Sequence, residues 1–277
     1  MKRITLPCGE SVPALGQGTW NIGDDARLRG EEIATLRRGL DLGLTLIDTA
    51  EMYGDGRSER LVGEAIAGRR DEVFLVSKVY PHNASLRGMR RACEASLRRL
   101  RVEALDLYLL HWPGEVPLAE TLAGFEALRR EGKIRHWGVS NFDAQWMQDL
   151  QALPGGDAAQ VNQVLYNLGC RGIEWDLRPW LRERGVPVMA YSPFDQARLL
   201  RKRELASFAA ARGMTPAQAA LAWLLAQDGV IAIPKTGQRQ RLEENAGALQ
   251  RPLSGADLEE LDRLFPPPRG PSPLAML

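Results

Sequence analysis

Short apolar runs and amphipathic stretches alternate eight times along this chain, and that alternation leaves few folds open. The apolar runs fall at 15–19, 44–48, 73–78, 105–111, 134–140, 159–164, 186–191 and 230–234. They are five to seven residues long and rich in Val, Ile and Leu, as strands buried on both faces must be. Between them, helical patterns occupy 31–42, 58–67, 85–100, 118–130, 144–150, 176–184, and 203–211 with 216–226. Regular strand–helix alternation predicts a parallel sheet, and right-handed crossovers restrict it to a doubly wound sheet or a closed barrel. Eight units with no break in composition favour the α/β class as a (β/α)8 TIM barrel.

The two ends fall outside the repeat. Residues 4–12 read as a β-hairpin turning at Gly9-Glu10, so 1–13 is expected to plug the bottom of the barrel. Patterns at 240–249 and 256–265 add C-terminal helices, and the proline-rich 266–277 predicts an extended tail. With no linker before Pro266, residues 1–277 are expected to form a single domain.

Charge and composition exclude whole classes of function. The 36 basic and 35 acidic side chains leave a net charge of +1, which offers no basic face to nucleic acid. No apolar run approaches a membrane span, and the few residues after Met1-Lys2-Arg3 are too short for a signal-peptide core. Cys8, Cys93 and Cys170 are widely spaced and form no C-x-x-C, which predicts reduced thiols and a cytoplasmic protein. His82, His111 and His136 include no pair at helical ligand spacing, so no metal is expected. Nothing in the chain requires a partner, and a monomer is expected. Only five of the 36 basic side chains are lysine: Lys2, Lys78, Lys133, Lys202 and Lys235. Each invites the question why it is not arginine.

In a parallel barrel the active site forms at the C-terminal ends of the strands. Here those ends read Asp48-Thr49, Ser77-Lys78, His111-Trp112, Ser140-Asn141, Asn162-Gln163, Tyr191-Ser192 and Lys235-Thr236. A polar group follows every apolar run. Taken singly, Asp48 and Lys78 could be a salt bridge at the mouth, His111 a buried structural histidine and Tyr53 a loop aromatic. Their convergence suggests chemistry. Tyrosine donates a proton poorly at neutral pH unless a cation lowers its pKa. Lys78 can supply that charge, Asp48 can hold Lys78, and His111 can orient a carbonyl oxygen while Tyr53 protonates it. Such a set suits hydride reduction of an aldehyde or ketone, the hydride coming from a cofactor. The compact ammonium of Lys78 fits between a carboxylate and a phenol, where a planar guanidinium would not.

Over essentially its whole length the chain resembles the aldo-keto reductase family. The matching strings include Leu15-Gly16-Gln17-Gly18-Thr19-Trp20, Asp48-Thr49-Ala50-Glu51-Met52-Tyr53-Gly54, Val76-Ser77-Lys78-Val79 and Leu110-His111-Trp112-Pro113. They continue with Gly138-Val139-Ser140-Asn141-Phe142, Val161-Asn162-Gln163, Ala190-Tyr191-Ser192-Pro193 and Ile233-Pro234-Lys235. Gly56-Arg57-Ser58-Glu59 is similar to bacterial members acting on methylglyoxal or diketo-sugar acids. The resemblance implies a catalytic tetrad of Asp48, Tyr53, Lys78 and His111, with Tyr53 as general acid. It implies that Ser140, Asn141 and Gln163 hold a nicotinamide carboxamide and that Tyr191 stacks on its ring, beside Ser192. Gly18, Thr19 and Trp20 would line the nicotinamide ribose, and Trp20 and Trp112 would wall the substrate pocket. Lys235, Thr236 and Arg241 match the family's grip on a 2′-phosphate, with Glu244 and Asn245 at the adenine, so NADPH is favoured over NADH.

Two departures bear on the cofactor. Where the family often has Tyr-Ser-Pro-Leu-Gly, this chain has Tyr191-Ser192-Pro193-Phe194-Asp195, placing a carboxylate beside the expected diphosphate, with Arg198 or Arg201 to offset it. The segment 194–202 is short for a cofactor-covering loop, which predicts an open groove and fast exchange. The short tail after Phe265 is expected to leave the substrate pocket less walled. Gly16-Gln17-Gly18 lacks the third glycine of a Rossmann fingerprint, and Gly54-Asp55-Gly56 reads as a turn before a helix capped by Ser58. The implied function is NADPH-dependent reduction of small aldehydes, ketones or α-dicarbonyls such as methylglyoxal. The alternatives are a non-catalytic NADPH-binding regulatory subunit on the same fold, or an isomerase using Asp48 and His111, which leaves Lys235 and Arg241 unexplained.

Overall fold

The computed structural model describes residues 2–277. Two short strands, β1 (Arg3–Thr5) and β2 (Ser11–Pro13), form an antiparallel ladder of their own. Eight more form one parallel sheet: β3 (Gln17–Gly18), β4 (Leu46–Asp48), β5 (Phe74–Val79), β6 (Leu105–Leu110), β7 (Ile134–Ser140), β8 (Asn162–Leu165), β9 (Val188–Tyr191) and β10 (Val230–Ala232). Helices α1 (Arg29–Asp41), α2 (Arg57–Ala65), α3 (Leu86–Leu100), α4 (Leu118–Arg130), α5 (Ala144–Gln151) and α6 (Leu177–Glu183) each connect one strand to the next. Two helices, α7 (Arg203–Ala210) and α8 (Pro216–Ala226), share the link from β9 to β10, and α9 (Arg239–Gly247) and α10 (Gly255–Leu264) follow the last strand.

The strands pair in sequence order from β3 to β10, and the ends then meet. Leu15 bridges Ala232 and Gly18 bridges Lys235, with the Gly16 and Gly18 N–H groups donating to the Ala232 and Pro234 carbonyls at 2.9 and 3.0 Å. Eight parallel strands closed at this seam, with helices outside, make the (β/α)8 barrel. The seam explains Gly18: a Cβ there would stand 2.7 Å from the Ile233 carbonyl oxygen, so the closing strands can approach only where the side chain is absent.

Burial follows the sequence pattern. Every residue of β5 and β6 is buried, including the polar Ser77, Lys78 and Asp106. On α3 the buried positions Met89, Ala92, Cys93, Ser96, Leu97 and Leu100 repeat at helical spacing, and the Ser85 side chain caps its first turn. Helix α8 is apolar nearly all round and opens with a Thr215/Gln218 capping box and Pro216 at its first position. It packs against α7, α9 and β10 at once, so it needs no polar face.

Several boundaries differ from the sequence reading. The hairpin turns on Pro7-Cys8, with the Gly9 N–H donating to the Leu6 carbonyl at 2.8 Å and Gly9 left-handed at φ +89, rather than at Gly9-Glu10. This is a three-residue hairpin loop in which the left-handed position demands glycine. Helix α2 begins at Arg57 behind left-handed Gly56 and has no side-chain cap; the Ser58 hydroxyl is buried and bonds the Thr19 hydroxyl at 2.8 Å. Residues 266–277 carry no helix or strand, as the prolines require, and Leu274 packs against the core. Among the described residues, no helix is long and apolar enough to cross a membrane.

Candidate active site

The barrel brings Asp48, Lys78, Tyr53 and His111 to one mouth. Asp48 ends β4, Lys78 lies one residue before the end of β5, and His111 follows β6 directly; Tyr53 comes from the loop between β4 and α2. Lys78 Nζ donates to Asp48 Oδ2 at 2.7 Å, to the Thr49 carbonyl at 2.9 Å and to the Tyr53 hydroxyl at 3.1 Å. Those three acceptors use all the ammonium's donors. The Tyr53 and His111 rings meet edge to face with centroids 6.0 Å apart, and Trp112 lies beside His111 at 4.8 Å.

Electrostatics set the protonation states. Burial alone would lower the Lys78 pKa, but the Asp48 carboxylate and the Tyr53 hydroxyl more than reverse that, and it lies above its usual value. Burial pushes the Tyr53 phenol upward; Lys78 draws it down by less, and Asp48 raises it further. This corrects the sequence reading, in which Lys78 brought the phenol below its ordinary value. Burial, with the Lys78 charge behind it, drives the His111 imidazole down to about 2, so the ring is neutral at physiological pH. Its Nδ1 is buried without a partner.

The neighbouring strand ends lock onto this core. Gln163 Nε2 donates to Asp48 Oδ1 at 2.8 Å, so both carboxylate oxygens are engaged. Asn141 is left-handed at φ +58, a conformation its short polar side chain tolerates. Its Nδ2 donates to the His111 carbonyl at 3.1 Å, and its Oδ1 accepts from the Tyr191 hydroxyl at 3.0 Å. Ser140 Oγ donates to the Gln163 carbonyl at 2.8 Å. Thr19, Thr49 and Ser58 share a buried hydroxyl network that also bonds the Asp48 carbonyl. Burial pushes the Tyr191 phenol up to about 12, opposed by the Leu277 N–H. Trp20 is 43% exposed and Trp112 half-buried, each with surface to offer a ligand.

Sequence reasoning missed three of these contacts. Gln163 supports Asp48 in addition to facing the mouth. Asn141 joins the His111 strand end to Tyr191. Glu51 Oε1 accepts from the Tyr80 N–H at 2.7 Å and from Asn83 Nδ2 at 3.2 Å, fixing the loop after β5. Polar type at a strand end was the available signal; the partner was not.

A second constellation lies past β10. Lys235 and Arg241 are exposed, and among the described residues neither makes an ion pair, whereas Arg239 is taken by Glu243 at 3.2 Å. Thr236 Oγ1 accepts from the Gln238 N–H at 3.1 Å, and α9 then starts with no side-chain cap. Two free cations beside an uncapped helix N-terminus suit a phosphate. Asn245 is buried on α9 and Glu244 half-buried beside it. After β9, Ser192, Asp195, Gln196 and Ala197 all have positive φ, and Arg198 clasps Asp195 with contacts of 2.7 and 3.0 Å. Of the two arginines considered, Arg198 neutralises Asp195, and the segment folds into a tight turn. A cavity of about 700 Å³ lies at the opposite end of the barrel, where Arg70 and Arg135 both pair with Asp106.

Residues 14–265 match the family model of the Aldo/keto reductase family. Over the full chain and 99% of its relative, the sequence is 53% identical to methylglyoxal reductase YeaE of Escherichia coli. It is 33% identical to glyoxal reductase of Bacillus subtilis, covering 99% of this chain and 97% of the relative. Among solved structures, an aldo-keto reductase from Klebsiella pneumoniae in complex with NADPH superposes with a TM-score of 0.97 at 50% identity, each chain covered fully.

Proposed function

This chain belongs to the aldo/keto reductase family, and we propose that it reduces small aldehydes and α-dicarbonyls, methylglyoxal among them, to alcohols with NADPH. The observation that carries this reading is the Tyr53 hydroxyl held 3.1 Å from Lys78 Nζ, beside a neutral His111. The close likeness to a methylglyoxal reductase and to an NADPH-bound reductase supports the substrate class and the cofactor.

The residues at the phosphate end fit a 2′-phosphorylated dinucleotide: Lys235, Thr236 and Arg241 would hold the phosphate, and Glu244 and Asn245 the adenine. Ser140, Asn141 and Gln163 would take the nicotinamide carboxamide and Tyr191 its face, with Gly18, Thr19, Trp20 and Ser192 alongside. When bound, the cofactor supplies the hydride that reaches the carbonyl carbon.

The chain's own residues then manage the oxygen. Neutral His111 retains one ring N–H to donate toward the carbonyl oxygen and sets its direction. Tyr53 gives its proton to the oxygen as charge develops there, and the phenolate left behind is stabilised by Lys78. Asp48 keeps Lys78 charged and aimed, and Gln163 keeps Asp48 in place. Trp20 and Trp112 would wall the substrate pocket. The same reading takes residues 1–277 as one barrel domain, with 1–13 as a plug at the bottom and 266–277 as an extended tail, acting as a monomer in the cytoplasm. A non-catalytic NADPH-binding role would leave this proton path without a use.

Tyr53→Phe tests the reading. It removes one hydroxyl and should lower kcat for methylglyoxal reduction by roughly 10²–10⁴-fold with NADPH affinity retained. Turnover undiminished with every carbonyl tried would overturn it.

A further inference from the structure

We propose a second site at the opposite end of the barrel: a zinc-type metal site formed by Cys8 Sγ, the Glu10 carboxylate and His136 Nε2. Cys8 lies in the hairpin loop, Glu10 just before β2, and His136 near the start of β7, more than 120 residues away in sequence. The fold nevertheless gathers one sulfur, one nitrogen and one oxygen donor within 4.8 Å of one another. Cys8 Sγ is 3.7 Å from His136 Nε2, and His136 Nε2 is 2.9 Å from Glu10 Oε2.

Those separations suit an ion. With metal–ligand distances of about 2.0–2.3 Å in tetrahedral geometry, the edges between ligand atoms come to roughly 3.3–3.6 Å. The two edges at His136 Nε2, 3.7 and 2.9 Å, lie within about half an ångström of those values, and the third lies within 4.8 Å. The backbone around them is already tied. The Cys8 N–H donates to Gln160 Oε1 at 2.8 Å, and the Leu6 N–H to the Glu10 carbonyl at 2.8 Å. Arg135 Nη2 also lies 2.9 Å from Glu10 Oε2, but its other nitrogen is anchored on Asp106 at 2.7 Å. A carboxylate has a second oxygen, so Arg135 and the metal can share Glu10.

The donor set names the ion. Thiolate, imidazole and carboxylate together suit Zn²⁺ and exclude the hard, oxygen-seeking Mg²⁺ and Ca²⁺. Three protein ligands with Cys8 exposed leave a fourth position for solvent. Binding would displace the thiol proton and staple the hairpin to β7. Because the site lies far from Tyr53 and Lys78, its test stands apart from that of the proposed reductase function.

The full chain, stripped with chelator and kept reduced, is titrated with Co²⁺. One equivalent should bring up a thiolate-to-cobalt charge-transfer band and visible absorption of tetrahedral intensity. Cys8→Ser should abolish the charge-transfer band and His136→Asn should weaken cobalt binding at least tenfold, while Cys170→Ser leaves both features intact. Zn²⁺ should displace the cobalt and raise Tm by on the order of 5 °C when well above its Kd, a shift missing in Cys8→Ser. No band in the parent chain, or a band that survives Cys8→Ser, overturns the proposal.

Discussion

Lys78 Nζ stands 2.7 Å from Asp48 Oδ2 with neither side chain reaching solvent, and the same ammonium meets the Tyr53 hydroxyl. Two charges taken out of water stay ionised only while each has the other. Asp48 therefore holds the Lys78 charge beside the Tyr53 hydroxyl without touching that hydroxyl itself.

Asp48→Asn should expose that dependence. Removing one partner of a buried pair costs about 3–5 kcal/mol of stability, because the other charge is left uncompensated. The variant should show that loss in urea denaturation, along with a large fall in kcat. Adding Lys78→Met removes the stranded charge, so the double variant should recover part of the stability and none of the activity. A double variant no more stable than Asp48→Asn would contradict the account.

The pH profile of reduction should follow from which groups can titrate. His111 is held down to about 2, so no limb is expected near 6.5, where an exposed histidine would produce one. Tyr53 is raised, so its protonated form, the one that donates, persists beyond its ordinary range. Then kcat/KM for an aldehyde should stay flat through neutrality and fall only as pH rises above about 10. In the oxidation direction, where the phenolate is the active form, the rate should instead rise over that alkaline range. An inflection near pH 6.5 that disappears in His111→Gln would show that the imidazole titrates after all.

Gly18 was assigned to the cofactor by resemblance, but the barrel seam gives it a steric reason of its own. A Cβ there would lie 2.7 Å from the Ile233 carbonyl oxygen, an obstacle of backbone rather than of a flexible side chain. Gly18→Ala should destabilise the protein by about 1–3 kcal/mol, as overpacking does. Differential scanning calorimetry on the cofactor-free protein measures this. Unchanged stability with weakened NADPH binding would return the glycine to a cofactor role alone.

How far the sequence carried depended on the kind of information each feature holds. The strands of the barrel were legible because a strand buried on both faces must be apolar along its length, as Phe74–Val79 is on either side of Ser77 and Lys78. The positions of Asp48, Lys78 and His111 at strand ends were legible too, since polar residues stop those runs. Pairing was not. That Gln163 holds Asp48, or that Asn141 joins His111 to Tyr191, depends on strand register and on a left-handed φ that no residue pattern announces. The sign of the Tyr53 shift was missed because nearby charge can be read from residue types, whereas the depth of burial opposing it cannot. Cys8, Glu10 and His136 lay hidden for the related reason that only closure of the barrel brings a hairpin loop onto β7.

Cofactor exchange should reflect the short segment after β9. Asp195 is clasped by Arg198 in a tight turn, leaving no long loop to fold over a bound dinucleotide. Stopped-flow mixing with NADPH should give a single fast phase whose rate rises linearly with concentration. A slow, concentration-independent clamping phase would show that another element closes over the groove.

Cofactor choice should rest on Lys235 and Arg241. Both are exposed cations with no ion pair among the described residues, while the neighbouring Arg239 is held by Glu243. A charge-assisted hydrogen bond to phosphate contributes about 1.5–3 kcal/mol, so losing one should raise the KM for NADPH roughly 10–100-fold. Arg241→Ala should do so while leaving the KM for NADH, which lacks the 2′-phosphate, within about twofold. Arg239→Ala, which breaks only the pair with Glu243, should move neither value much. Adding Lys235→Ala should deepen the NADPH loss, and rising salt should weaken NADPH binding in the parent more than in the double variant, because exposed charges are screened. Equal losses with both cofactors would instead place these cations on the shared diphosphate and remove the physical basis for an NADPH preference.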